Sequence, residues 1–132
     1  MIQAVLQNAT VPVIETGAGV CHTFVDATAD CDKARKIAIN AKVQRPSVCN
    51  AMETLMPAML EDFFKEGVTI FGCEKTQRFD NRVQAASEED WATEYGDLRL
   101  SVKIVEGLDE ALAHIAQYGT KHSECIVTEN PE

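Results

Sequence analysis

Short strand-type runs alternate with helix-type stripes along most of the 132 residues, and this alternation limits the fold more than any other feature of the chain. Residues 11–14 and 20–25 read as strands on either side of the turn Gly17-Ala18-Gly19, behind a helix end over residues 1–7. Asp30 is an apt N-cap for a helix running to about Lys42: Ala34, Ile37, Ala38 and Ala41 share one face, Asp32 sits in the first turn and Lys42 in the last. Pro46 ends that helix, because the residue before a proline is pushed out of the helical region. Pro57 opens another, with Met59, Leu60, Phe63 and Phe64 on one face and Gly67 as its stop. Residues 68–71 form a strand. Residues 74–95 are polar and weakly patterned, a loop with room for a helical turn. Residues 98–105 alternate as a strand, with Leu98, Leu100, Val102 and Ile104 to one side and Arg99, Ser101 and Lys103 to the other. Leu108, Ala111, Leu112 and Ile115 make the stripe of a helix closed by Gly119, and residues 125–128 a last strand. Crossovers of this length favour parallel pairing, so the expected class is α/β, a mostly parallel sheet flanked by helices in one domain.

The charge balance removes several functions. A net charge of -9 with no basic stripe disfavours nucleic acid as a partner and argues against anionic membranes. No apolar run is long enough to span a bilayer, and residues 1–10 lack the basic and apolar regions of a signal peptide, so a cytoplasmic protein is expected. Five cysteines at 21, 31, 49, 73 and 125 form no Cys-x-x-Cys pair, and His22, His114 and His122 are scattered. Neither a disulfide framework nor a metal site is expected. No glycine-rich fingerprint opens a helix behind a strand: Gly17-Ala18-Gly19 runs into β-type sequence and lacks the third glycine.

Cys49 differs from the other cysteines in its setting. It follows a proline-broken helix end and precedes Asn50 and Ala51, so it lies on a loop, where backbone amides can point at a substrate oxygen. A thiolate is a strong nucleophile, and a cation such as Arg45 would raise its fraction. On these local grounds alone a packed structural cysteine is the stronger reading.

The segment Gln44-Arg45-Pro46-Ser47-Val48-Cys49-Asn50-Ala51-Met52-Glu53-Thr54-Leu55 resembles the nucleophile segment of the γ-glutamyl phosphate reductases, relatives of the aldehyde dehydrogenases. Val11-Pro12-Val13-Ile14-Glu15, Gly17-Ala18-Gly19-Val20-Cys21-His22, Asn40-Ala41-Lys42, Thr93-Glu94-Tyr95-Gly96-Asp97-Leu98, Tyr118-Gly119, His122 and Val127-Thr128-Glu129 follow the same pattern in the same order. The likeness covers essentially the whole chain. It implies part of an aldehyde-dehydrogenase catalytic domain, residues 1–132, with the cofactor-binding domain outside them. It also implies reduction of L-glutamyl 5-phosphate by NADPH to L-glutamate 5-semialdehyde and phosphate, in proline biosynthesis, through a thioester on Cys49. The Cys49 N–H is the expected oxyanion donor.

Glu15 resembles the general base of the hydrolytic relatives; in a reductase, which must spare the thioester, it is expected to orient neighbours instead. Glu94 and Tyr95 resemble the region that contacts the nicotinamide ribose. A homo-oligomer and association with glutamate 5-kinase are further implications of the resemblance, whereas His22 and His122 read as surface or packing residues. The family is usually much longer than this chain, and after Leu55 it usually continues a strand where Met56-Pro57-Ala58 stands. About ten residues are missing there by comparison, a shortening that would remove ladder hydrogen bonds from a buried strand. The competing reading is a non-catalytic interaction or small-molecule-binding module on the same scaffold. A cysteine hydrolase would need a histidine base near Cys49, which no sequence feature supplies.

Overall fold

The structure, a computed structural model, describes residues 7–12, 17–55 and 59–131. Strands β1 (Cys21–Val25), β2 (Met52–Leu55), β3 (Thr69–Gly72), β4 (Gln84–Ala85), β5 (Arg99–Val102) and β6 (Glu124–Val127) form one sheet in the order β4-β3-β5-β2-β1-β6. Every neighbouring pair is parallel. The crossovers carry helices α1 (Cys31–Val43), α2 (Leu60–Lys65), α3 (Glu74–Gln77), α4 (Glu88–Trp91) and α5 (Leu108–Tyr118). This is the α/β class the alternation implies, because a parallel pair needs a crossover long enough to carry the chain back. Among the described residues no helix is long and apolar enough to cross a membrane.

Local sequence explains the elements that face the main core. Asp30 accepts the Lys33 N–H at 2.8 Å and starts α1, whose Ala34 and Ala38 are fully buried. Gly67, at φ +75°, turns the chain out of α2 into β3, a left-handed conformation that costs glycine nothing. Ala38, Met52, Phe63, Ile70, Leu100 and Val102 pack together between the sheet and these two helices. Burying a side chain such as Phe63 or Ile70 contributes on the order of 2 kcal/mol.

Several expectations need correction. Residues 74–95 are not a loop: they hold α3, β4 and α4 and bury Thr76, Val83, Trp91 and Tyr95. The strand expected over 98–105 is only Arg99–Val102, and Ser101 is as buried as its neighbours because Tyr95 covers that face of the sheet. The stripe of α5 is turned from its apolar positions. Leu108 and Leu112 are 48% and 53% exposed, while Ala111 and His114 face inward.

His114 takes the place of an apolar residue by staying neutral. Burial, with the Lys103 ammonium beside it, pushes its pKa down to about 4. Lys103 lies 3.3 Å from its Nδ1, and the rings of Trp91, Tyr118 and His22 surround it. Of the expected first elements, Val11 and Pro12 are not in a strand; residues 1–6 and 13–16, including Ile14 and Glu15, lie outside the described residues, as does Pro57.

Candidate active site

Parallel pairing gives the sheet a common amino edge, and the sequence order of the strands decides what stands there. Four neighbouring strands, β5, β2, β1 and β6, are entered from residues 93–98, 48–51, 17–20 and 119–123. The segments that the sequence singled out therefore meet although they are far apart in the chain. The Gly19 N–H donates to Glu94 Oε2 at 2.8 Å, across 75 residues. The Val20 N–H donates to Thr120 Oγ1 at 3.0 Å, and the His22 N–H to Glu124 Oε2 at 2.8 Å.

Cys49 is exposed on the turn between α1 and β2. Its loop is folded by short bonds, Val48 N–H to the Arg45 carbonyl at 3.3 Å and Ala51 N–H to the Val48 carbonyl at 2.9 Å. Its own carbonyl is gripped from the side of β1: the buried Cys21 thiol donates to it at 3.3 Å. A Cβ on Gly19 would collide with the same oxygen, so only glycine lets the segments leading into β1 and β2 approach so closely. The side chain of Cys49 is left facing outward while its backbone is fixed.

Beside this turn Cys21 and His122 complete the edge. Burial pushes the Cys21 thiol pKa up, and His122 Nδ1 lies 3.8 Å from its sulfur and 3.0 Å from Ser123 Oγ. His122 is exposed, whereas His22 is buried against His114, with its Nδ1 3.1 Å from Glu124. Glu94 is half-buried at the Gly19 amide. Tyr95 turns inward instead: its hydroxyl donates to Asp90 Oδ1 at 2.9 Å and lies 3.0 Å from Ser101 Oγ, and its ring stacks on Phe71. Burial pushes its phenol pKa well above the usual value. Among the described residues no group of three or more His, Cys, Asp or Glu side chains could hold a metal ion.

Sequence reasoning left one pair without a role. Lys42 and Glu53, 0% and 1% exposed, form an ion pair of 2.8 Å. Burial pushes the Glu53 carboxyl up to about 7 against the pull of Lys42, and lowers Lys42 against the pull of Glu53. Two signals were available in the sequence. Lys42 continues the four-residue spacing of Ala34 and Ala38 on the buried face of α1, and Glu53 interrupts a strand-type run, where a carboxylate must find a partner.

No protein-family model matches the chain. Its curated relatives include the γ-glutamyl phosphate reductase of Caldanaerobacter subterraneus subsp. tengcongensis, 54% identical over 140 residues, which cover 98% of this chain and 34% of that protein. That alignment is longer than the chain itself, so the relative has residues without a counterpart in it. The crystal structure of γ-glutamyl phosphate reductase from Thermotoga maritima superposes with a TM-score of 0.88 at 49% identity, over 98% of this chain and 34% of that one. An engineered glycolyl-CoA reductase with bound NADP+ shares the fold alone, at a TM-score of 0.64 and 15% identity over 98% of this chain and 40% of that one. The chain spans about a third of the length of the curated relatives it matches, and it belongs with them to the γ-glutamyl phosphate reductase family.

Proposed function

We propose that the native polypeptide carrying these residues reduces L-glutamyl 5-phosphate to L-glutamate 5-semialdehyde and phosphate with NADPH, in proline biosynthesis. Residues 1–132 are then part of its nucleophile-bearing catalytic domain, and the cofactor-binding domain lies outside them. The observation that carries the reading is the Cys49 turn: an exposed thiol on a backbone held by Cys21 and Gly19, beside the carboxylate of Glu94.

In this reading the Cys49 thiolate attacks the acyl phosphate carbon and expels phosphate, leaving a thioester. The Cys49 N–H stands at the carbonyl oxygen as charge develops on it. NADPH, when bound, supplies the hydride that takes the acyl group to the aldehyde level. Cys49 sulfur is the leaving group when the semialdehyde is released, which returns the free thiolate. Glu15 orients neighbours rather than activating water, so that the thioester survives until it is reduced.

The residues present fit part of the cofactor's site. Glu94 spends Oε2 on the Gly19 N–H, which leaves Oε1 for a ribose hydroxyl. Tyr95 contributes from behind, because its hydroxyl is engaged by Asp90 and Ser101 and its ring backs the segment that carries Glu94. The glycolyl-CoA reductase that shares the fold carries NADP+, which supports the same cofactor. A cytoplasmic homo-oligomer, with glutamate 5-kinase as a partner, completes the reading by family resemblance.

The test is Cys49→Ala in the native polypeptide. Semialdehyde- and phosphate-dependent reduction of NADP should be lost completely while the fold is kept. Unchanged turnover would remove the nucleophile assignment.

A further inference from the structure

The loop that bears Cys49, residues 44–51, joins the end of α1, whose penultimate residue is Lys42, to the start of β2, whose second residue is Glu53. Its two ends are thus marked by the two members of the buried ion pair, Nζ to Oε2 at 2.8 Å. The backbone amide of Gly96, two residues beyond Glu94, also favours the ionised form of the Glu53 carboxyl. The ammonium of Lys42 lies 6.0 Å from the centroid of the Tyr95 ring, in the same segment. The ion pair therefore stands among three pieces of chain: the end of α1, the start of β2 and, through the Lys42 contact with Tyr95, the lead into β5.

A pair of apolar side chains of similar volume would fill this space with less loss of hydration, so packing alone does not account for two buried charges. What an ion pair adds is direction. We infer that Lys42 and Glu53 are positioning residues, whose contact closes the base of the Cys49 loop and fixes it in register with the segment carrying Glu94. The inference rests on the reading of Cys49 as nucleophile. Neither side chain reaches the surface, so neither can touch substrate; their effect passes through the backbone of residues 43–52. A misplacement of about 1 Å at a reacting group is enough to cost on the order of a hundredfold in rate.

The experiment compares the native polypeptide with Lys42→Met/Glu53→Met, which removes both charges and strands neither. Should that variant not fold, Glu53→Asp, which keeps both charges and shortens the tie by one methylene, takes its place. Three quantities are read: kcat against KM for glutamyl phosphate, amide hydrogen exchange in residues 44–51, and the rate of Cys49 alkylation by iodoacetamide. The double variant should lose about a hundredfold in kcat with KM within about twofold. Its exchange in residues 44–51 should rise about tenfold while β1 and β5 exchange as in the parent, and its alkylation rate should change with the exchange. Glu53→Asp should show the same pattern with about a tenfold loss in kcat. A folded variant with parental kcat, or with parental exchange in residues 44–51, overturns the inference. If Cys49→Ala keeps turnover, the nucleophile reading fails separately, and exchange still decides whether the pair holds the loop.

Discussion

At the amino ends of β5, β1 and β6, side chains that lead into β5 or stand at the start of β6 hold the backbone at the start of β1: Glu94 takes the Gly19 N–H, Thr120 the Val20 N–H, and Glu124 the His22 N–H. At the carboxyl end of the sheet, polar side chains instead bond one another near solvent. Thr128 donates to Asp26 at 3.0 Å, Thr28 lies 3.1 Å from Thr128, and Lys33 reaches Glu129 at 2.8 Å. The first arrangement fixes main chain and leaves a thiol free on top of it. The second ties surface groups whose exchange for water changes little. Open parallel sheets usually place ligands at their carboxyl ends. In this sheet the buried ionisable residues His22, Lys42 and Glu53 lie toward the amino end instead, which is the edge on which Cys49 and Glu94 stand.

The sharpest way to break this comparison is to strand a charge at the amino end. Lys42→Met leaves Glu53 buried without its cation, and it should destabilise the 132-residue chain by about 3–5 kcal/mol, while Lys42→Met/Glu53→Met costs much less or nothing. Urea denaturation of the three proteins side by side measures the difference. Equal losses for the single and double variants would mean that the pair is not acting as a unit.

The second effect is smaller and depends on pH. His114 has a folded pKa of about 4 against an ordinary value of 6.5, because burial opposes its charged form. Above pH 6.5 both states are neutral and its contribution to stability is fully present. As the pH falls from 6.5 towards 4 the unfolded chain takes up a proton that the folded one resists, so stability is lost. The loss amounts to as much as about 3 kcal/mol. His22, also pushed down by burial, adds to it with the same sign. Denaturation midpoints of His114→Phe across this range should give a flatter pH dependence than the parent; an identical slope would show that His114 is protonated in the folded state.

Much of this was legible in the sequence, and what was not has physical reasons. The strand and helix runs of β1, α1, α2 and β3 declare themselves through caps, stops and spacing. Residues 74–95 do not, because α3, β4 and α4 are four, two and four residues long and show no period. The orientation of α5 was hidden by His114, a polar letter that packs as a neutral ring. At the site, Cys49 stood out by its loop setting, but it gained a role, as Glu94 did, only through family resemblance. Their meeting depends on parallel register, which no local pattern encodes. Lys42 and Glu53 were hidden for the opposite reason: each is charged, and a charge at a helix end or on a short strand reads as solvent-facing until its partner is seen.

The smallest expected effect tests whether the two ends of the sheet are independent. α1 touches both, with Asp30 capping its start near the carboxyl end and Lys42 closing its last turn at the amino end. Asp30→Ala removes the acceptor of the Lys33 N–H and should loosen the first turn, because that donor has no partner within the helix. A helix frays from the end that loses its cap, and the Lys42–Glu53 contact holds the other end through tertiary structure rather than through the helix itself. The loss of stability should therefore be the smallest of the three. The kcat of the native polypeptide should stay within about twofold, as expected for sites that share no partner. A clear fall in kcat for Asp30→Ala, with faster exchange in residues 44–51, would mean that α1 transmits strain along its whole length and that the amino edge is not held by its own contacts.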